Sequence, residues 1–381
     1  MATAPERAVS GRHPVFYYQL KRLGAASRRR AVEGLQRLRA QLTAELPAKS
    51  LNENLLLASW NVREFDSRKF GGRLPEAMHY IAEIVSRFDL VAVQEVREDL
   101  RALERVHEIL GAGSWDYLVT DVTYGRQGNG ERLAFLYDTR KVRFTRVAGE
   151  IVLPSKSKSS PVLQMARTPY VCSFQAGWTR FDLCTVHIYY GASKPDDPQR
   201  LAEVDALARL LSTEVARQPD DPMARNVIML GDFNIFDRAT DETMKRLEAA
   251  GFVVPPEIRA TTTNALGNKQ YDQIAYLRRD GRFALTGRGG VVDYYKSVFR
   301  EADEDAYALD RGGKGSSFRD WRTYQMSDHR VLWVELDTDF TAEYLDALLQ
   351  SSPPPLDPSS APSAVPTEAP PTRAPRRVRP K

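Results

Sequence analysis

The sequence has few cysteines and no long apolar run, and each shortage excludes a class of protein. Only two cysteines, Cys172 and Cys184, occur among 381 residues, which excludes a scaffold held by several disulfides. They lie in neighbouring strand-like runs where a cross-strand pairing is open, but two buried reduced thiols are favoured. No apolar run of about 18 residues and no apolar leader occur, so neither a membrane span nor a secretory signal is predicted. A cytoplasmic location is therefore expected.

Charge is unevenly distributed along a chain whose formal net charge is only +4. Residues 1–50 hold ten Lys or Arg against three Glu, and residues 352–381 hold five against two acidic residues. The body between them, residues 51–351, is therefore net acidic. An acidic body suits metal ions, whereas basic ends suit polyanions.

The two ends of the chain are expected to differ in order. Apolar residues recur at helical spacing within Tyr17–Leu46, which predicts a basic N-terminal helical extension over residues 1–50. A docking helix with a solvated basic face is favoured, and an arm that contacts nucleic acid is the alternative. Ten of the thirty residues 352–381 are proline, so this Pro-rich basic tail is predicted to be disordered.

Residues 51–351 alternate short apolar runs with amphipathic stretches, as expected for one domain. Leu90–Val93 and Val227–Leu230 are apolar on every residue, which indicates a sheet covered on both faces. Hairpin-like joins imply antiparallel pairs as well, so we expect a β-sandwich with helices packed outside it. The predicted strands are Leu55–Asn61, Leu90–Val96, Leu133–Tyr137, Tyr170–Gln175, Phe181–Tyr189, Val227–Leu230, Gln273–Leu277 and Val331–Leu336. The predicted helices are Pro75–Phe88, Asp99–Leu110, Asp197–Arg217, Asp237–Ala250 and Thr341–Gln350.

Six strand ends carry Asn, Asp, Glu or His beside buried apolar residues. They are Asn61, Glu95, His187, Asp232, Asp272 and the pair Asp328-His329. A carboxylate at the edge of an apolar core is costly unless something neutralises it, and a divalent cation with oxygen ligands does so. Any one of these residues can be a turn former or a helix cap, but six together favour a metal site.

Four short motifs together resemble the endonuclease/exonuclease/phosphatase superfamily, in its DNase I-like branch. They are Asn61-Val62-Arg63, Gln94-Glu95, Gly231-Asp232-Phe233-Asn234 and Ser327-Asp328-His329. They follow the family's order over about residues 54–337. The resemblance implies an α+β fold, a four-layer α/β/β/α sandwich, over a catalytic domain of residues 51–351. It also implies a hydrolase of phosphoester bonds with Mg²⁺ as cofactor, Mn²⁺ or Ca²⁺ being alternatives.

The resemblance further implies roles for single residues. Glu95 and Asn61 resemble the principal metal-binding pair, and Asp328 resembles a further carboxylate of the metal site. Asp232 resembles the residue that orients or deprotonates the attacking water. Asn234 resembles a residue that holds a phosphate oxygen.

Two histidine–carboxylate pairs complete the implied site. Glu131 resembles the carboxylate that orients His187, and Asp272 resembles the partner of His329. A carboxylate holds an imidazole in one tautomer and stabilises its charged form, so each histidine can donate or accept a proton. Arg167 resembles an arginine that contacts phosphate.

Two stretches depart from the family pattern. Gly125–Gly130 lacks the aromatic residue that usually lies here against a nucleic-acid groove, and Arg126 is its electrostatic substitute. Between Gly289 and Tyr324 the chain carries inserted material. If this insert lies beside the site, Lys314 and Arg319 are candidates for contact with substrate.

These features predict a Mg²⁺-dependent phosphodiesterase, in the first place a nuclease that hydrolyses DNA, with RNA as a further substrate. Nucleic acid is the expected partner; no membrane partner is expected, and the oligomeric state is left open. One alternative is a phosphatase or phospholipase of the same superfamily, acting on inositol phosphates, sphingolipids or small phosphoesters. Against it, the inositol-phosphatase signature is missing around Asp272. The other alternative is an inactive binding module, although every motif position is filled.

Overall fold

The computed structural model describes residues 15–65, 68–124, 128–153, 164–192, 194–216, 226–279, 281–311 and 317–351. Three predictions lie outside these residues, those on the Pro-rich tail, Arg126 and Lys314. The chain divides into two compact units, Met1–Phe340 and Thr341–Lys381.

The described residues of the first unit form two mixed β-sheets. The strands are β1 (Asn54–Phe65), β2 (Leu90–Arg97), β3 (Trp115–Val119), β4 (Glu131–Asp138), β5 (Val142–Glu150), β6 (Tyr170–Ala176), β7 (Thr179–His187), β8 (Asn226–Asp232), β9 (Asp272–Leu277), β10 (Ala284–Val292) and β11 (Val331–Asp337). One sheet has the order β10-β11-β1-β2-β4-β3 and the other the order β5-β6-β7-β8-β9. The pairs β1–β2 and β7–β8 are parallel, and the other pairs are antiparallel.

Helices of the first unit cover the outer faces of both sheets. The helices of this unit are α1 (Ala25–Glu45), α2 (Pro75–Val85), α3 (Arg101–Leu110), α4 (Pro198–Ala216), α5 (Glu242–Ala249) and α6 (Phe318–Gln325). The second unit contains the helix α7 (Thr341–Ser351). Short 3₁₀ helices occupy Tyr18–Arg22, Lys69–Gly71, Pro256–Ile258, Tyr294–Lys296 and Glu301–Tyr307. Helices α1 to α3 share an apolar core with the six-stranded sheet, and α4 and α5 share one with the five-stranded sheet.

Alternating side chains of β1 belong to two different cores. Leu56 and Trp60 lie in the core beneath α1 to α3, whereas Leu55 and Leu57 lie in the core between the sheets. Because a strand buried on both faces has no polar side, its sequence reads as a continuous apolar run. The predicted α+β class and the four-layer sandwich are confirmed.

Helix α1 packs against α2. Its Leu35, Leu38 and Leu42 are buried in the core that the two helices share. At the rim, Nε of Arg30 lies 3.0 Å from Oε1 of Glu76 on α2. These contacts are those of a docking helix, with arginines at its rim that pair with acids of the body.

Three strands, β3, β5 and β10, and helix α6 were not predicted from the sequence, and one predicted helix begins too early. Helix α5 starts at Glu242 rather than at Asp237. The carboxylate of Asp241 accepts a hydrogen bond from the backbone N–H of Thr243 at 2.9 Å, so the N-cap lies at Asp241.

Two expectations from the sequence, one on the cysteines and one on membrane spans, can be compared with the structure. Cys172 and Cys184 are buried and free, because Cys184 pairs across the sheet with Val171 and Cys172 with Leu183. The interpretation as two buried reduced thiols is confirmed. Among the helices in the described part of the chain, none is both long and apolar enough to cross a bilayer.

Candidate active site

The ends of neighbouring strands bring the predicted residues to one end of each sheet. In the five-stranded sheet, His187 pairs in register with Asp232, and Asp232 pairs with Asp272. In the facing sheet, Asn61 and Glu95 lie on the adjacent strands β1 and β2. Strands β1 and β2 lie against β8, so both sets meet at a cleft of about 600 Å³.

Most of the predicted site residues line this cleft directly. The lining includes Glu95, Glu131, Arg167, His187, Asp232, Asn234, Asp328 and His329. The other two predicted residues, Asn61 and Asp272, are fully buried. Both are hydrogen-bonded to residues of the lining. Asn61 donates a hydrogen bond to Glu95, and Asp272 is hydrogen-bonded to His329. The structure therefore brings all ten residues together.

Two histidines converge on the carboxylate of Asp232. Nε2 of His187 lies 3.5 Å and Nε2 of His329 lies 3.7 Å from the same oxygen, Oδ2. The same oxygen accepts a hydrogen bond from Nδ2 of Asn61 at 3.0 Å, and Oδ1 accepts one from the backbone N–H of Asn234 at 2.9 Å. Asp232 is thus held in place from both oxygens.

Asp272 supports the second histidine. Its Oδ2 lies 2.8 Å from Nδ1 of His329, in a buried hydrogen bond. Burial disfavours the charged imidazolium, but the carboxylates of Asp272, Asp232 and Asp328 outweigh burial and raise the pKa of His329 well above its ordinary value. These carboxylates therefore favour the charged form of the His329 imidazole.

Glu131 supports the first histidine and also binds an arginine. Its Oε2 lies 3.0 Å from Nδ1 of His187, without the alignment of a hydrogen bond, and accepts a hydrogen bond from Nε of Arg167 at 2.7 Å. Burial opposes ionisation of this carboxyl, yet His187 and Arg167 together lower the pKa of Glu131 to about 2. Arg167, expected from the sequence to contact phosphate, here pairs with Glu131 at the cleft wall.

Comparison with known proteins identifies the family. The sequence model of the Endonuclease/Exonuclease/phosphatase family matches residues 58–329. The chain belongs to this family.

Individual relatives agree with this assignment. The chain is 26% identical over 252 residues to deoxyribonuclease-1 of Bos taurus, which covers 62% of this chain and 82% of that protein. A functionally unknown conserved protein from Enterococcus faecalis V583 matches with a TM-score of 0.50 and 17% identity, over 74% of this chain and 99% of that one; this likeness concerns the fold. As a member of the endonuclease/exonuclease/phosphatase family, the protein is a hydrolase that acts on phosphoester bonds.

The donor set around Glu95 fits a divalent cation of the kind that the endonuclease/exonuclease/phosphatase family uses. Burial, together with the charges of Glu131 and Asp328, raises the pKa of Glu95, and a bound cation relieves such a penalty. Nδ2 of Asn61 donates hydrogen bonds to the carboxylates of Glu95 and Asp232, at 2.9 and 3.0 Å. Its buried Oδ1 has no hydrogen-bond partner among the described residues. Oxygen donors of this type are preferred by Mg²⁺.

A second group of potential ligands lies beside the first. One ligand atom each of Asp232, Asp272 and His329 lies within 4.8 Å of the others. Asp272 and His329 are already joined by their own hydrogen bond, and imidazole is a poorer ligand than oxygen for Mg²⁺. The group of Glu95, Asn61 and Asp328 is therefore better suited to a hard cation.

Further residues of the cleft were not assigned roles from the sequence. They are Arg63, Glu64, Arg97, Asn129, Tyr190 and Tyr271. Tyr271 precedes Asp272, and its ring centroid lies 5.6 Å from that of His329. The position of Tyr271 could have been expected from its motif, whereas Tyr190 and Asn129 carry no signal in the sequence.

Proposed function

We propose that the protein is a Mg²⁺-dependent phosphodiesterase that hydrolyses DNA, with RNA as a further substrate. The observation that carries the proposal is the convergence of His187 and His329 on one oxygen of Asp232, at 3.5 and 3.7 Å. A carboxylate between two histidines, each backed by its own acid, provides a base for water and a proton donor for the leaving group. Hydrolysis of a phosphodiester needs both.

The side chains divide the proton transfers between them. Asp232, whose two oxygens are anchored by Asn61 and Asn234, orients the attacking water and accepts its proton. His329, kept charged by Asp272, donates a proton to the departing alkoxide. Asn234 uses one of its two amide hydrogens on the carbonyl oxygen of Ile188, and the second is available for a phosphate oxygen.

The phosphate itself requires charge neutralisation. When bound by Glu95, Asn61 and Asp328, Mg²⁺ supplies a Lewis acid for a non-bridging oxygen. Arg167 has five N–H donors, two of which reach Glu131. Contact between its remaining donors and phosphate is therefore compatible with its place in the cleft wall.

The choice of DNA as substrate is supported by a relative whose name states its activity. That relative is deoxyribonuclease-1 of Bos taurus, which matches over 82% of its own length. Arg97 lines the same cleft, and its cation suits a phosphate that neighbours the scissile one.

The test is a panel of substrates given to the purified full-length chain. Plasmid DNA, single-stranded DNA, RNA and inositol phosphates are incubated with Mg²⁺, Mn²⁺ or EDTA. We expect cleavage of DNA that EDTA abolishes, and a loss of about 100-fold or more in Asp232→Asn and His187→Ala. The control Asp99→Asn, at an exposed acid outside the cleft, should retain full activity.

Two outcomes would contradict the proposal. Phosphate release from inositol phosphates that is faster than any cleavage of nucleic acid would favour a phosphatase. No metal-dependent turnover of any of these substrates would favour an inactive binding module.

A further inference from the structure

A second cleft, of about 580 Å³, adjoins the catalytic cleft. The two clefts share Arg63, Tyr271, Asp328 and His329 as lining residues. A phosphate that is bound beside His329 therefore has room for one ester substituent in each cleft. A phosphomonoester has no group with which to fill the second one.

Six of the thirteen residues that line the second cleft belong to the insert between Gly289 and Tyr324. Glu301 lies on the 3₁₀ helix Glu301–Tyr307, and Arg319 and Asp320 lie on the first turn of α6. Ala265 and Leu266 also line it. The insert therefore extends the catalytic cleft with residues that lie outside the catalytic motifs.

The charged residues of the second cleft neutralise one another. His329 also lines the cleft, but its ring is already paired with the carboxylate of Asp272. Among the other lining residues the cations are Arg63, Arg319 and Arg322, and the anions are Glu301, Asp320 and Asp328. Oε1 of Glu301 lies 3.2 Å from Arg319 and 2.9 Å from Arg322, and Arg63 lies 3.4 Å from Asp320. A lining with balanced charge does not favour a second phosphate, which needs an excess of cations. It suits a neutral group with polar edges.

Apolar surface is exposed inside the same cleft. The side chain of Leu266 is 63% exposed although it is a large aliphatic group, and the ring of Tyr271 lies on the side that adjoins the catalytic cleft. The guanidinium of Arg319 is also accessible, since its side chain is 60% exposed. The cleft thus offers both an aliphatic side chain and a planar cation, and nucleobases pack on surfaces of both kinds. The volume is in the range of small-molecule sites.

We propose that this second cleft is a nucleoside subsite, which holds the nucleoside that is esterified to the scissile phosphate. The base packs on Leu266, and its polar edge meets Arg319. The inference rests on the proposed phosphodiesterase function and specifies the substrate as a nucleotide diester rather than a small diester. The bond cleaved is unchanged: water adds to phosphorus, and one ester oxygen departs with a proton.

The test compares two diesters with the same leaving group. Thymidine 5′-(4-nitrophenyl phosphate) carries a nucleoside, and methyl 4-nitrophenyl phosphate does not. With Mg²⁺ and the full chain, we expect kcat/KM to be at least about tenfold higher for the thymidine diester. Leu266→Asp and Arg319→Ala should each lower that ratio by about fivefold or more and leave the rate on the methyl diester unchanged.

Matched controls lie far from the second cleft. Leu51→Asp places the same change at a leucine that is 47% exposed, before the first strand. Arg105→Ala removes an arginine whose ion pair with Glu108 on α3 is also exposed. Both controls should keep the wild-type ratio.

Each contrary result has a separate meaning. Equal kcat/KM for the two diesters in the wild type, or a wild-type ratio in Leu266→Asp and Arg319→Ala, would overturn the nucleoside subsite and leave the phosphodiesterase in place. Equal losses on both diesters in these variants, with unchanged melting temperature, would overturn it too. Cleavage of 4-nitrophenyl phosphate but of neither diester would overturn the proposed function itself.

Discussion

Replacing Glu131 with glutamine should change the stability of the fold in a pH-dependent way. The Glu131 side chain is only 7% exposed and is paired with Arg167 and His187. Although burial opposes its ionisation, these two partners lower its pKa from the ordinary 4.5 to about 2. The carboxylate is therefore more favourable in the folded chain than in the unfolded one.

The size of the effect follows from that difference. A pKa of about 2 in the folded state against 4.5 in the unfolded state corresponds to about 3 kcal/mol of folding free energy at pH 7. Because the folded pKa is the lower one, this stabilisation is present above pH 4.5 and is lost as pH falls towards 2. At pH 3.5 about 1 kcal/mol of it should be gone.

Urea unfolding at pH 7 and at pH 3.5, in EDTA, measures this loss. The difference in unfolding free energy between wild type and Glu131→Gln should shrink by about 1 kcal/mol between the two pH values. Comparing the two differences removes every effect of the substitution that does not depend on pH. In the control Glu108→Gln, whose side chain is 60% exposed, the difference should stay constant. A pH-independent difference for Glu131→Gln would refute the reasoning, because Glu131 would then titrate as it does in the unfolded chain.

Three further predictions test other parts of the structure. Lys49→Met should lower the free energy of unfolding in urea by about 3–5 kcal/mol. The substitution leaves the buried carboxylate of Asp89 without one of its cations, the Lys49 Nζ that lies 3.0 Å away. A decrease of less than about 1 kcal/mol would contradict this prediction. Asp272→Asn should lower kcat by about 100-fold or more with an unchanged circular dichroism spectrum, and an active variant would remove the need for that carboxylate. Burial raises the pKa of both thiols, that of Cys172 to about 12, so Cys172 and Cys184 should react with Ellman's reagent at pH 8 only after unfolding.

The strands that the sequence predicts are mostly the central ones. The three that it misses, β3, β5 and β10, each lie at an edge of a sheet. In β5 only Val142 is buried, and in β10 only Val292. An edge strand has one hydrogen-bonded neighbour and little surface to bury, so neither an apolar run nor an alternating pattern is required of it. Only contacts distant in sequence define these strands.

Residues of the candidate active site are predictable because they lie at the ends of such central, buried strands. Asp232 and His187 are the last residues of β8 and β7, and the residues just before each of them are buried. The sequence therefore locates the point at which the chain leaves the core. Which side chains then meet is decided by the packing of strands that are far apart along the chain. The pairing of Arg167 with Glu131, 36 residues away, is of this kind, and so is the cleft built by the insert. Local patterns carry no signal for either.

Backbone strain is the part of the site that is least visible in the sequence. Glu64 and Glu95 both have positive φ, of 39° and 61°, in a region that costs a non-glycine residue about 1 kcal/mol or more. The backbone N–H of Glu64 donates to Oε2 of Glu95 at 2.7 Å, while Asn61 donates to Oε1 at 2.9 Å. Both oxygens of the central carboxylate are therefore fixed by donors that come from one strand, β1. A carboxylate fixed in this way loses little further entropy if it binds a cation, so the proposed metal site at Glu95 would be preorganised at the cost of this strain.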